Sequence, residues 1–146
     1  MGAATSIMYA AENPDKISAI ILDSGYSTFL EIVNHLAAVQ FMIPPEFVQM
    51  LMMGVSIQVS QLTGGLNVSA DLNPVLLAPK CTTPALFLHG EHDELVLKSH
   101  SERNYAAYGG ASKEAHYFPG GHNDQRSPAT VEKALQFLKK HLLASA

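Results

Sequence analysis

The residues of this chain that could carry a reaction are concentrated in two short runs, His89-Gly90-Glu91-His92-Asp93 and Gly120-Gly121-His122-Asn123. A carboxylate that accepts a hydrogen bond from one imidazole nitrogen fixes the tautomer of that ring and stabilises its cation. The other nitrogen is then free to act as a base near neutral pH. Asp93 and His122 are the candidates for such a pair, acid first and base second, which is the order of the last two members of a Ser–Asp–His triad. Glu91 and Glu94 are neighbouring carboxylates that could take the acid's place, and Asp93 could instead cap the turn that follows it. His122 could be an ordinary loop histidine. The two glycines before it favour the base, since they let the backbone turn the ring back over a sheet.

Both runs need rigid elements behind them. Pro84-Ala85-Leu86-Phe87-Leu88 precedes the first run and Ala115-His116-Tyr117-Phe118 the second, and both read as strands. Asp93 and His122 would then lie just past the C-terminal ends of consecutive parallel strands, where an open α/β sheet gathers its chemistry. A further strand is expected over residues 17–22, whose nearly continuous apolar character suits burial on both faces of a parallel sheet. Helices are expected over 2–13, ending at Asn13-Pro14, after a Thr28/Glu31 capping box, and over 98–108, with Gly109-Gly110 as its C-cap. The last helix starts with Ser127-Pro128 as N-cap and first turn, its core face formed by Val131, Ala134, Leu135, Leu138 and Leu142. Strands alternating with helices make an α/β fold with a parallel sheet.

Composition narrows the possibilities. The 146 residues fit one domain, and 47% hydrophobic with 15% charged residues describes a soluble globular chain. A net charge of −4 provides no basic footprint, so no nucleic-acid partner is expected. Cys81 is the lone cysteine and the first residues lack the basic start of a signal peptide; a cytoplasmic location is the expectation. No membrane span is expected, because Gln49, Ser56 and Gln58 interrupt a run that is too short to cross a bilayer. The spacing of His89, His92, Asp93 and His122 does not match a metal site, and no metal or other cofactor is expected.

Four landmarks in order carry a resemblance to the α/β-hydrolase superfamily, in particular its serine-aminopeptidase-like and lipase-like branch. They are Met1-Gly2-Ala3 as the tail of a Gly-x-Ser-Met-Gly nucleophile elbow, Leu22-Asp23-Ser24 ending a strand, His89-Gly90-x-x-Asp93, and Gly120-Gly121-His122. The resemblance covers the C-terminal half of that fold: three parallel strands with flanking helices and a helical lid inserted at about 41–66. It implies a serine hydrolase of esterase, lipase or peptidase type. In it Asp93 is the triad acid, His122 the base, and the backbone N–H of Met1 an oxyanion-hole donor. The lid residues Phe47, Met50 and Met53 would then line the pocket for a small-molecule or peptide ester or amide. The serine itself would stand just before Met1, so the chain alone is expected to be inactive.

An alternative is a non-catalytic binding or assembly module derived from the same fold. Residues 17–22, normally a central strand, would then form a sheet edge whose free backbone groups invite pairing with a second copy or with the missing N-terminal segment. The Met-rich stretch within 41–66 is apolar almost all round, and the expectation is that protein or ligand covers it.

Overall fold

The computed structural model describes residues 1–143. Three strands, β1 (Ile20–Asp23), β2 (Ala85–Gly90) and β3 (Lys113–Phe118), form one parallel sheet in the order β1-β2-β3. Among the described residues seven α-helices accompany them: α1 (Gly2–Glu12), α2 (Phe29–Phe41), α3 (Pro45–Thr63), α4 (Val68–Asp71), α5 (Pro74–Leu77), α6 (Lys98–Ala107) and α7 (Pro128–Leu142). The expected three parallel strands are present, but β1 begins at Ile20, not at residue 17. Residues 17–19, between a 3-10 turn over Pro14–Lys16 and the strand, are irregular with a bend at Ser18, and pairing starts only where Ile20 meets Ala85.

The chain divides into two compact units, Met1–Ser27 with Pro74–Ala146, and Thr28–Asn73. In the first, β2 is buried along its whole length because its side chains alternate between two cores. Ala85 and Phe87 join Ile7, Ala10, Ile20, Leu22, Cys81 and Tyr108 on one face. Leu86 and Leu88 join Phe118 and Phe137 on the other. Phe87 sits edge-on to Tyr105 and Tyr108, at ring centroid distances of 5.5 and 5.4 Å. Small residues let α1 approach closely: a methyl group on Gly25 would stand 2.9 Å from the Ala3 Cβ.

Three local expectations change. Thr28 precedes α2 as expected, but its side chain caps no backbone N–H, so the Thr28/Glu31 capping box does not form. Gly109 and Gly110 do not end α6 in the left-handed conformation; Tyr108 caps it in an extended one. Their lack of a side chain serves close packing instead, since a methyl at Gly109 would collide with the Pro79 carbonyl. Helix α7 starts as expected, with the Ser127 hydroxyl accepting the Thr130 N–H at 3.2 Å. However, it buries Thr130 and Phe137, with Ala134 packed beside them, and exposes Val131, Leu135 and Leu142. Phe137 is the α7 side chain that enters the sheet's core, packing with Leu86, Leu88 and Phe118.

The second unit holds α2, α3 and α4 around Val48, Met52 and Val68, supported by Phe29, Leu30, Val33 and Ala37. Residues 41–66 lie inside it. Cover all round is not what this stretch receives: Phe47, Met50, Leu51, Met53 and Ile57 are exposed on α3. Its termini are well made, with Gly64 left-handed at φ 75° closing α3 and the Asn67 side chain accepting the Ser69 and Ala70 N–H groups. Lys and Arg are wholly absent between Lys16 and Lys80, so this unit carries acidic residues but no permanent cation.

At the C-terminal rim of the sheet the loops after β2 and β3 are joined backbone to backbone. The Glu91 N–H donates to the Phe118 carbonyl at 2.9 Å, and the His92 N–H to the Gly120 carbonyl at 3.0 Å. Gly90 lies so close to this seam that a methyl group on it would collide with the Gly120 carbonyl, and Gly120 itself takes a φ of 140° that favours glycine. Gly90→Ala should therefore force the two loops apart and lower stability by about 1–3 kcal/mol in urea unfolding. An unchanged midpoint would show that the seam can yield.

Two further outcomes follow from burial and charge. Cys81 is fully buried, and burial pushes its thiol above the ordinary range, so a disulfide reagent should label it only as denaturant unfolds the chain. Glu114 accepts from Lys133 at 2.7 Å and Lys140 at 3.2 Å, and these bonds hold its carboxyl below the usual range. A depressed carboxylate stabilises the fold above its unfolded pKa and loses that contribution as pH falls. Glu114→Gln should thus cost about 0.2–1 kcal/mol at pH 7, with the difference shrinking as pH falls below the ordinary glutamate value of about 4.3; melting curves at pH 7 and across the acid range check it.

Candidate functional site

Asp93 follows β2 in a tight turn and is almost completely buried. Its Oδ1 accepts the Leu95 N–H at 3.0 Å and the Val96 N–H at 2.8 Å, so the residue does cap its own turn. That capping leaves Oδ2 facing two imidazoles. His122 Nδ1 lies 2.8 Å away and His89 Nε2 3.4 Å away. Turn capping and histidine binding are therefore concurrent uses of one carboxylate, divided between its two oxygens.

The protonation pattern follows from the partners. A carboxylate only accepts, so His122 carries its proton on Nδ1, and Nε2 is the basic nitrogen of the neutral ring. The His122 side chain is 27% exposed, whereas the Asp93 side chain is 0% exposed. That contrast suits a base open to solvent at one nitrogen and tied at the other. His89 is completely buried; its Nε2 donates to the Val96 carbonyl at 2.8 Å, and its Nδ1 has no partner among the described residues. The reading of His89 as a hydrogen-bonded strand-end residue matches this placement, and its closeness to Asp93 adds a second imidazole beside the acid.

The other singled-out residues are placed as follows. Glu91, His92 and Glu94 are exposed. Met1 is exposed ahead of α1, its carbonyl accepting the Thr5 N–H at 3.2 Å. Met53 lines a cavity of about 330 Å³ inside the second unit, together with Leu30, Gln49, Met52, Ser56, Asn67 and Ser69. Phe47 and Met50 project from the same helix to solvent.

Sequence reasoning passed over Arg126 at this rim and gave Asp23 no role beyond ending a strand. Arg126 binds Asp23 through two nitrogens, Nε to Oδ2 at 2.8 Å and an Nη to Oδ1 at 3.0 Å. It also donates to the main-chain carbonyls of His122 and Asp124 at 3.1 and 2.6 Å. These bonds to Asp23 raise the guanidinium pKa further, so the cation is permanent. Asp23 at a strand's C-terminal end was the one available signal; Arg126 belongs to no motif.

No protein-family model matches this sequence, and neither does any curated protein. Solved structures do resemble it. A zinc-bound cold-adapted esterase from an Arctic intertidal metagenomic library superposes with a TM-score of 0.61 at 20% identity, covering 97% of this chain and 46% of that one. Acetyl xylan esterase 1 from a Thermoanaerobacterium species gives a TM-score of 0.66 at 16% identity over 95% of this chain and 42% of its own. The acylaminoacyl peptidase of Pyrococcus horikoshii gives 0.64 at 17%, over 97% of this chain and 23% of its own. The chain thus spans less than half the length of these three structures. Together with the parallel sheet and its flanking helices, they show that the chain carries part of an α/β-hydrolase fold.

Proposed function

We propose that Asp93 and His122 are the acid and base of a serine hydrolase acting on ester or amide bonds, with the nucleophilic serine in a segment preceding Met1. The observation that carries this reading is the 2.8 Å bond between His122 Nδ1 and the buried Asp93 carboxylate. Esterases and a peptidase among the similar structures support the reaction class. In this scheme His122 Nε2 takes the serine proton as the hydroxyl attacks the acyl carbon, and Asp93 stabilises the imidazolium that forms. The same nitrogen returns the proton to the leaving group, and a water molecule repeats the cycle to free the acid. We assign the Met1 N–H to the oxyanion.

The test uses the protein extended by the reading frame upstream of Met1. A fluorophosphonate probe should label one serine in that extension and nothing in the 146-residue chain. His122→Asn should abolish labelling, and Asp93→Asn should slow turnover by about 10⁴-fold by favouring the wrong tautomer. Labelling that survives His122→Asn would overturn the assignment. The binding-module reading rests on the outer edge of β1, which pairs with no strand among the described residues. It predicts no labelling at all and a dimer in light scattering.

A further inference from the structure

Arg126 is the rim residue with most bonds and no part in the proton transfers. Its guanidinium makes the two bonds to Asp23, reaches the carbonyls of His122, Asp124 and, at 3.4 Å, Gly121, and lies 4.6 Å over the centre of the Phe118 ring. Asp23 is correspondingly occupied: beyond Arg126, its Oδ1 accepts the Ser24 hydroxyl at 3.1 Å. Ser24 adopts a φ of 50°, a left-handed conformation uncommon for serine, at the residue that follows β1. The Gly121 N–H donates to Asp124 Oδ2 at 2.7 Å, so the loop is bonded internally as well as to Arg126.

The topology gives these bonds a purpose. Asp23 ends β1 and Arg126 follows β3, and the sheet order places β2, with the Asp93 turn after it, between them. The pair therefore spans the rim from one outer strand to the other, passing the turn that holds the acid. Arg126 grips the main chain of His122 itself, while the ring of that residue must reach Asp93. We infer that the Asp23–Arg126 pair is a positioning device that fixes the His122 backbone so that its imidazole meets the acid. Arginine suits the task, because its planar fork of donors serves a carboxylate and several carbonyls at once, whereas lysine offers a single nitrogen.

The inference deepens the hydrolase reading and rests on it for its effect on rate, but its structural part can be tested without turnover. In the 15N-labelled 146-residue chain, the Nδ1 proton of His122 should give a protected low-field resonance, assigned by its loss in His122→Asn. Asp23→Asn and Arg126→Lys should leave far-UV circular dichroism and Cys81 protection unchanged, yet speed exchange of that proton at least tenfold. Native exchange in both variants would overturn the inference, and these two decide it if Arg126→Ala does not fold. In the extended protein, Asp23→Asn and Arg126→Ala should lower kcat by about 100-fold at constant KM, the scale expected for a misplaced reacting group. A loss confined to thermal stability, with kcat intact, would also overturn it. If the unaltered extended protein hydrolyses nothing, the hydrolase reading fails while the exchange measurement still judges the pair.

Discussion

The bond between Asp93 and His122 joins side chains from two different loops, and it can exist only because the backbones of those loops touch first. Two main-chain hydrogen bonds close the seam between the ends of β2 and β3, and Gly90 gives the Gly120 carbonyl room to enter. A side chain at Gly90 would separate the strand ends by roughly the space a methyl needs, and a 2.8 Å contact beyond them has little reach to spare. The rigid part of the arrangement is thus main chain, and the titratable groups are mounted on it. Burial of β2 on both faces anchors the seam from below, since the strand cannot shift without opening two cores.

Division of labour within Asp93 follows from that rigidity. One oxygen is consumed by the N–H groups of its own turn and the other is presented to histidines. A carboxylate held this way has lost its rotational freedom before any partner arrives, so the imidazole does not bear the entropy of ordering it. His89 closes the inner side of the carboxylate with a second ring that is itself hydrogen-bonded to Val96. The side chain of the acid is fully enclosed by protein.

Much of this was legible in the amino-acid order, for physical reasons that differ from element to element. The continuous apolar stretches around Leu86 and Ile21 announced buried parallel strands, and Gly-rich turns after two of them marked where polar residues would cluster. Contacts that depend on three-dimensional proximity were not legible. Arg126 and Asp23 are 103 positions apart and share no pattern, and His89 looked like a strand-end residue with no special neighbour. The glycines at 109 and 110 show another limit: a helix C-cap and a close backbone crossing both require glycine, and only coordinates tell them apart. The face of α7 was misjudged because Val131 and Leu135 are more apolar than Thr130 and Ala134, whereas the side the helix buries is set by where Phe137 meets Leu86, Leu88 and Phe118.

The distribution of basic residues described for the Thr28–Asn73 unit has a practical corollary. Trypsin cleaves after Lys and Arg, and after Lys16 the next such residue is Lys80. The whole helical unit, together with β1, can therefore leave a tryptic digest only as one long peptide, and no internal nick by that protease can report on its opening. Chymotrypsin, which cuts beside large apolar side chains, has Phe47, Met50, Leu51 and Leu62 exposed to it along a single helix. Opening of the helical unit would consequently show in a chymotryptic pattern and stay silent in a tryptic one.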